Sequence, residues 1–193
     1  MRSNIKKVCG NWDLGFVLDK HLISSKFIGH SESGHPQFDN KRTEIGQALY
    51  QLKYQGDWSQ VQPLAQELSK IIYPKFRNVG LIIPMPATNN RQKQPVAEIA
   101  KALGEIVDCS VCDNILLGNA GGPQLKNLDK KEDKAKALEG KFYIQDGVYG
   151  DRVWSALLVD DLFATGATME AACNALRSYR KIGKIYIAAL TWK

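Results

Sequence analysis

Residues 157–169 have the sequence LLVDDLFATGATM, and this stretch decides how the rest of the chain is interpreted. It opens with a run of apolar residues, which predicts a strand buried on both faces. Two adjacent acids, Asp160 and Asp161, stand at the end of that predicted strand. A loop of small and hydroxyl-bearing residues follows and leads into a helix. Ligands of open α/β sheets bind outside the carboxyl ends of the strands, so this order predicts a ligand site.

The parts of this stretch have complementary chemical uses. Two carboxylates at a strand end can accept hydrogen bonds from neighbouring hydroxyl groups of a sugar. The loop after them has no large side chain, so its backbone amides can surround a phosphate, and the next helix adds its free amides and positive dipole end. A ribose that carries a 5′-phosphate satisfies both halves. The predicted phosphate-binding residues are Ala164, Thr165, Gly166, Ala167 and Thr168, with a positive φ expected at Gly166.

Other nucleotide and catalytic motifs are absent from the sequence. No Lys-Ser or Lys-Thr pair follows the glycine of the loop, as a Walker motif requires, and no G-x-G-x-x-G is present. We find no Ser-His-Asp or Cys-His set either. The competing interpretation is a generic strand, turn and helix in which Asp160 and Asp161 only cap the helix.

Composition indicates one α/β domain with an extension or a small lobe. The chain has 193 residues, 44% of them hydrophobic and 24% charged. No run of 18 apolar residues predicts a membrane span, and no apolar segment follows the basic start, so we expect a cytoplasmic protein. Cys109 and Cys112 form a single C-x-x-C pair without further ligands nearby, which favours half-buried structural residues over zinc.

The hydrophobic pattern predicts alternating strands and helices. Helices are expected over residues 43–54, 58–73, 93–103 and 168–182, with Thr43 as an N-cap and with Gly104 and Gly183 as C-caps. Strands are expected over 79–83, 111–117, 142–144, 153–159 and 185–192. Turn residues over 30–36 suggest a hairpin or loop near the N-terminus. The order predicts a mostly parallel sheet with crossover helices.

The stretch 157–169 resembles the phosphoribosyl pyrophosphate motif of type I phosphoribosyltransferases at all 13 positions. The resemblance implies an α/β fold with a mostly parallel central sheet flanked by helices and a small N-terminal hood-like lobe. It implies that Asp160 and Asp161 meet the ribose hydroxyls and that residues 164–168 hold the 5′-phosphate. It also implies Mg²⁺, bound through the ligand and near Asp160 and Asp161. We expect an N-terminal extension or hood over 1–60 and the phosphoribosyltransferase domain over 61–193.

A narrower resemblance is to the competence protein ComF family. It runs through LKYQGD at 52–57, IPMP at 83–86, GPQLKNL at 122–128 and GKF at 140–142, and so covers roughly residues 40–193. Many ComF-like proteins open with a four-cysteine zinc ribbon. Only Cys9 lies in the first hundred residues of this chain, so that ribbon is absent here.

The family fold implies two further parts of the site. A pyrophosphate loop follows the earlier strand, and the residues at that place are Met85, Pro86, Ala87, Thr88 and Arg91. A hood that covers the site corresponds to residues 119–138, which are rich in glycine and lysine. Any of Lys126, Lys130, Lys131 or Lys134 could supply positive charge to the leaving group, and we assign Lys126 and Lys134, together with Asp160 and Asp161, to the catalytic set.

These features leave three functional hypotheses open. The first is transfer of a phosphoribosyl group to an unidentified nitrogen acceptor, with Trp12, Phe16 or Tyr54 as aromatic residues that could stack on it. The second is a non-catalytic protein that binds phosphoribosyl pyrophosphate. The third is a nucleic-acid-associated role in DNA uptake, suggested by the ComF resemblance and the net charge of +6. Its candidate basic residues are Arg177, Arg180, Lys181 and Lys184. The oligomeric state is open, although a homodimer is common for this fold.

Overall fold

The protein is described by a computed structural model that covers residues 1–87, 92–119 and 140–193. The strands are β1 (Lys6–Lys7), β2 (Leu14–Lys20), β3 (Leu22–His30), β4 (Pro36–Arg42), β5 (Leu81–Pro84), β6 (Leu116–Gly118), β7 (Phe142–Ile144), β8 (Trp154–Phe163) and β9 (Ile182–Trp192). The α-helices in this part of the chain are α1 (Glu44–Tyr50), α2 (Val61–Glu67), α3 (Pro95–Val107) and α4 (Ala167–Arg177). None of these helices is long and apolar enough to cross a membrane.

The central sheet has five strands in the order β1-β2-β9-β8-β5. β2, β9, β8 and β5 pair in parallel, and only β1 is antiparallel. The predicted α/β class and the mostly parallel sheet are therefore confirmed. Because β8 and β9 have neighbours on both sides and helices on both faces, their apolar runs are almost fully buried.

Helices cover both faces of the sheet and form two hydrophobic cores. On one face α4 packs its apolar residues against Leu158 and Ile187. On the other face α1, α2 and α3 pack against Leu157 and Ala188. Successive residues of one strand point to opposite faces, so each strand contributes to both cores.

The first two predicted helices are confirmed, with irregular ends. Thr43 caps α1, because its hydroxyl oxygen accepts a hydrogen bond from the amide of Gly46 at 3.0 Å. After α1 the helix continues as one π-helical turn, Gln51–Gln55, and ends at Gly56 with a φ of 68°. α2 is preceded by the 3₁₀ turn Trp58–Gln60 and is continued by the π-helical turn Leu68–Ile72.

The predicted ends of the last two helices are wrong. Gly104 lies inside α3, where its missing side chain allows close contact: a Cβ there would be 2.7 Å from the carbonyl oxygen of Cys109. The cap is Asp108, with a φ of 51°. α4 ends at Arg177, and Gly183 belongs to β9 because Ile182 already pairs with Trp154 of β8. At residues 182–183 the pairing with β8, and not the helical spacing of apolar residues, determines the backbone conformation.

The N-terminal segment divides between two structures. β2 pairs with β9 inside the central sheet, whereas β3 and β4 form a separate two-stranded hairpin with its turn at 31–35. The hairpin expected near residues 30–36 is therefore confirmed. The domain boundary at residue 60 stays a prediction, with the qualification that β2 lies in the central sheet.

Candidate functional site

The candidate site forms where β8 extends beyond its neighbour β5. The pairing of β5 with β8 ends at Pro84 opposite Val159, and the amide of Met85 makes the last hydrogen bond, 2.8 Å to the carbonyl oxygen of Val159. From Asp160 onward β8 pairs with β9 alone. We predicted that the strand ends before the two acids; instead it continues to Phe163, so both acids lie on the strand at its one-sided end.

Because β8 has no partner among the described residues on the β5 side beyond Val159, a cleft of about 260 Å³ opens there. We call it the carboxyl-edge cleft. The sequence-predicted residues that line it are Met85, Pro86, Ala87, Asp160, Asp161 and Thr168. The segment after β5 and the start of α4 thus face the two acids across one cavity. Residues 85–87, predicted as part of a pyrophosphate loop, and residues 160–161, predicted to meet a ribose, are close enough to contact a single small ligand.

Four predicted site residues lie beside the cleft and four fall outside the described ranges. Ala164 and Thr165 are exposed, and Gly166 and Ala167 are buried, in the connection between β8 and α4 that leads to Thr168. Thr88, Arg91, Lys126 and Lys134 lie outside the described residues, as does nearly all of the predicted hood, so their roles stay predictions.

Lys53 supplies a positive charge to the two acids. Its Nζ donates a hydrogen bond to Oδ2 of Asp161 at 2.6 Å, and both side chains are largely shielded from solvent. Lys53 comes from the π-helical turn after α1, and such turns are frequent at functional sites. The Asp160 carboxylate accepts a hydrogen bond from the backbone N–H of Asp161 at 2.8 Å. The local arrangement is therefore two carboxyl groups and one ammonium group.

The surroundings favour the protonated form of Asp160. The pKa of its carboxyl is raised to about 8, chiefly by burial and secondly by the neighbouring Asp161 carboxylate. The backbone N–H of Asp161 and the ammonium group of Lys53 act in the opposite direction. Without a ligand, the site is therefore expected to hold a proton on Asp160 at neutral pH, and a bound cation would release it.

We expect Asp160→Asn to stabilise the ligand-free protein at alkaline pH. The ordinary pKa of this carboxyl is 3.8, so ionisation costs more in the folded chain than in the unfolded chain. Wild-type stability should therefore fall as the pH rises from about 4 to about 8. Asparagine avoids this cost and keeps an oxygen to accept the amide of Asp161. Urea unfolding at pH 5 and pH 9 should show an advantage for the variant that grows by about 1 kcal/mol or more at pH 9.

The matched control for this measurement is Asp39→Asn, which changes an exposed acid on β4. Its effect on the free energy of unfolding should be the same at both pH values. A pH-independent effect of Asp160→Asn would contradict the proposed burial cost of the Asp160 charge.

The loop between β8 and α4 has the shape that its small residues predict. Gly166 adopts a φ of 82°, which confirms the expected left-handed conformation. The first hydrogen bond of α4 runs from the amide of Glu170 to the carbonyl oxygen of Gly166 at 2.8 Å. The amides of residues 167–169 therefore have no acceptor within the helix. They lie at the positive end of the helix dipole, beside the exposed residues Ala164 and Thr165.

A buried network holds the backbone of β8 beneath the acids. The hydroxyl of Thr191 on β9 donates to the carbonyl oxygen of Asp161 at 3.0 Å. Nδ1 of His21 lies 3.2 Å from the same hydroxyl. Burial, followed by the charges of Arg42, Lys193 and Lys53, lowers the pKa of His21. A neutral imidazole that donates from Nδ1 fits this geometry, so the network fixes Asp161 without adding a charge.

Several residues that line the cleft were not predicted from the sequence, and two of them, Lys53 and Phe142, could contact a ligand through a charge or an aromatic ring. Lys53 lies in the LKYQGD segment, but no role was assigned to it, and Phe142 on β7 was interpreted only as part of a strand. The three aromatic residues predicted to stack on an acceptor differ in exposure. Tyr54 is 67% exposed, whereas Trp12 is buried against Phe163 and Phe16 packs against Phe76. Of these three rings, only Tyr54 is freely available to an acceptor. Phe142 is a further candidate.

Comparison with solved structures gives the fold. The adenine phosphoribosyltransferase of Trypanosoma brucei, solved with AMP, pyrophosphate and ribose-5-phosphate, matches 100% of this chain and 76% of its own length, with a TM-score of 0.52 and 11% identity. The adenine phosphoribosyltransferase of Leishmania tarentolae matches 98% of this chain and 95% of its own length, with a TM-score of 0.50 and 9% identity.

A longer protein is also similar in structure. This chain covers 29% of the length of UMP synthase from Leishmania donovani, with a TM-score of 0.46 and 14% identity. No protein-family model matches the sequence, and no curated protein matches it significantly. The sheet order, the flanking helices and the two similarities to adenine phosphoribosyltransferases together show the type I phosphoribosyltransferase fold.

Proposed function

We propose that this chain binds phosphoribosyl pyrophosphate in the carboxyl-edge cleft and transfers the phosphoribosyl group to a nitrogen acceptor, with release of pyrophosphate. The observation that carries the proposal is the position of Asp160 and Asp161. They lie on the part of β8 that extends beyond β5, between residues 85–87 and the loop that opens α4. A sugar with a phosphate on each side of it fits this order of groups.

Each part of the cleft would contact a different part of the ligand. The carboxyl groups of Asp160 and Asp161 would accept hydrogen bonds from the two ribose hydroxyls. The amides of residues 164–168 would hold the 5′-phosphate at the start of α4. The segment 85–87 would face the pyrophosphate. Lys53, which contacts Asp161, would lie on the ribose side of the ligand.

The reaction is a displacement at the anomeric carbon of the ribose. The bond from this carbon to the pyrophosphate oxygen breaks, and its electron pair leaves with pyrophosphate. A nitrogen of the acceptor then forms the new bond and loses its proton to solvent or to the leaving group. Positive charge develops on the ribose ring during this exchange. The negative charge of Asp161, and of Asp160 once a bound cation has released its proton, would stabilise this positive charge, so positioning and electrostatics would provide most of the catalysis.

The residues present fit a Mg²⁺ ion that is held mainly through the ligand. Within residues 1–87, 92–119 and 140–193, no group of three or more His, Cys, Asp or Glu side chains could hold a metal ion. Two adjacent carboxyl groups nevertheless suit a cation that keeps most of its oxygen ligands from phosphate and water, whereas the Lys53 ammonium group competes with such a cation for Asp161. Asp160 and Asp161 would contact it. When bound, Mg²⁺ would offset the negative charge on the departing pyrophosphate.

The central experiment is an assay of pyrophosphate release. In the presence of Mg²⁺, we expect pyrophosphate to be released from phosphoribosyl pyrophosphate only when an acceptor is added, because water should not replace the acceptor efficiently as the nucleophile. A panel of free purine and pyrimidine bases, followed by a phosphate-coupled assay, would identify the acceptor class. Tyr54→Ala should raise the KM for the acceptor and leave that for phosphoribosyl pyrophosphate unchanged, with Tyr149→Ala, an exposed ring elsewhere, as control.

Two outcomes would change the assignment. Tight binding of phosphoribosyl pyrophosphate with no release for any base would favour a non-catalytic binding protein. Failure to bind the ligand at all would overturn the proposed site. The ComF-like motifs described above support a relationship to that family, which we propose without the zinc ribbon and its roles.

A further inference from the structure

A second cleft lies at the opposite end of the central strands from the candidate site, where β8 and β9 begin. Its volume is about 500 Å³, and we call it the amino-edge cleft. Trp154 lines it, and Asp161 is seven residues farther along β8. A strand rises about 3.3 Å per residue, so the two clefts are separated by roughly 23 Å. A ligand in the amino-edge cleft would therefore not contact the candidate active site.

The charged side chains that line this cleft are both basic. Arg77 and Lys184 reach it from the segment before β5 and from β9, and no carboxylate of the described residues lines it. Among the hydrogen bonds and ion pairs of the described residues, neither side chain has a partner. The neighbouring basic residues differ: Arg180 pairs with Asp151 at 3.3 Å, and Lys181 pairs with Asp146 at 3.0 Å. The structure therefore leaves unneutralised the two charges that face the cavity.

The walls of the amino-edge cleft are fixed by packing. Gly80 lies against the indole of Trp154, where a Cβ would be 2.4 Å from a ring carbon. The guanidinium of Arg152 lies 4.3 Å from the centre of the Trp154 ring system and adds a third positive charge close to the cleft. The hydroxyl of Tyr186 donates to the carbonyl oxygen of Arg77 at 3.1 Å, which anchors the backbone that carries this arginine.

We infer that the amino-edge cleft binds a small phosphate ester of about nucleotide size. Arginine offers a planar set of donors that matches phosphate oxygens, and lysine adds a second charge. Ser155 and Asn78 add a hydroxyl and an amide to the lining. The cavity lies in the usual range of small-ligand sites and is larger than a phosphate alone needs. The excess of positive charge and the lack of lining carboxylates disfavour a cationic ligand.

The test uses AMP as the probe and adenosine as its uncharged counterpart. The chain has four tryptophans, so its indole N–H signals are few, and Trp154→Phe would assign the relevant one. We expect AMP, but not adenosine, to shift the Trp154 signal in a saturable titration. Arg77→Gln with Lys184→Gln should weaken this binding at least about tenfold, since each removes a charge-assisted hydrogen bond. Lys184→Glu alone should weaken it as well.

Two controls separate this inference from the proposed function. Lys26→Gln with Lys41→Gln removes two exposed charges from the β3–β4 hairpin and should leave the titration unchanged. Asp160→Asn with Asp161→Asn should also leave it unchanged, even if binding in the carboxyl-edge cleft is lost. The inference is overturned if AMP does not move the Trp154 signal, if adenosine binds equally well, or if the double glutamine variant binds like wild type.

Discussion

The variant Asp160→Asn with Asp161→Asn should bind phosphoribosyl pyrophosphate at least about 100-fold more weakly than the wild type. Hydrogen bonds to charged groups contribute about 1.5–3 kcal/mol each, and each asparagine replaces a charged acceptor by a neutral amide that also places an NH₂ group against the ribose, so we expect a loss of about 3 kcal/mol. The loss of carboxylate charge should also weaken the contribution of Mg²⁺. Calorimetric titration with phosphoribosyl pyrophosphate and Mg²⁺ would measure the affinity.

The fold should survive this double change, because the sheet and both cores are formed by other residues. Circular dichroism and urea unfolding would verify that it does. Asp39→Asn with Asp151→Asn replaces the same number of acids at exposed positions and should bind like the wild type. An unchanged affinity in the Asp160 and Asp161 variant would count against the carboxyl-edge cleft as the ligand site.

Gly166→Val should both destabilise the protein and weaken ligand binding. Gly166 has a φ of 82°, a conformation that β-branched residues rarely adopt. A Cβ at this position would also lie 3.0 Å from Cζ of Phe163, whose ring packs edge-on against Trp12. We expect the free energy of unfolding to fall by about 2 kcal/mol or more. The affinity for phosphoribosyl pyrophosphate should fall about tenfold because the amides of the loop move, a loss of about 1.4 kcal/mol.

Gly150→Val is the matched control for this prediction. Gly150 has a similar φ of 76°, but no atom lies within 4 Å of its Cβ position, and the residue is exposed. Urea unfolding should therefore show a smaller loss of stability, and calorimetry should show the wild-type affinity. If Gly166→Val lowered stability without changing affinity, the glycine would serve the fold alone and the loop would not hold the phosphate.

The candidate site was predictable where short-range chemistry determines it. The small residues at 164–168 and the left-handed Gly166 follow from sterics within a few residues. The paired acids and the Ile83-Pro84-Met85-Pro86 segment are also local in sequence, and the acids line the same cleft as Met85 and Pro86. Lys53 was not predictable in the same way, because its partner Asp161 is 108 residues away along the chain. A lysine in a helical segment usually faces solvent, so only its ion pair reveals its position.

The sequence alone predicts the alternation of strands and helices, the buried character of β8, the cap at Thr43, and the order of acids, loop and helix. These features depend on side-chain periodicity and backbone sterics, which act between residues that are close in the chain. Only the tertiary structure shows that β8 extends beyond the end of β5, which opens a cleft, and that Gly183 is part of β9. It also decided that Arg77 and Lys184 meet at the far edge of the sheet. Register and charge pairing depend on distances through space between segments far apart in sequence, and local patterns do not contain that information.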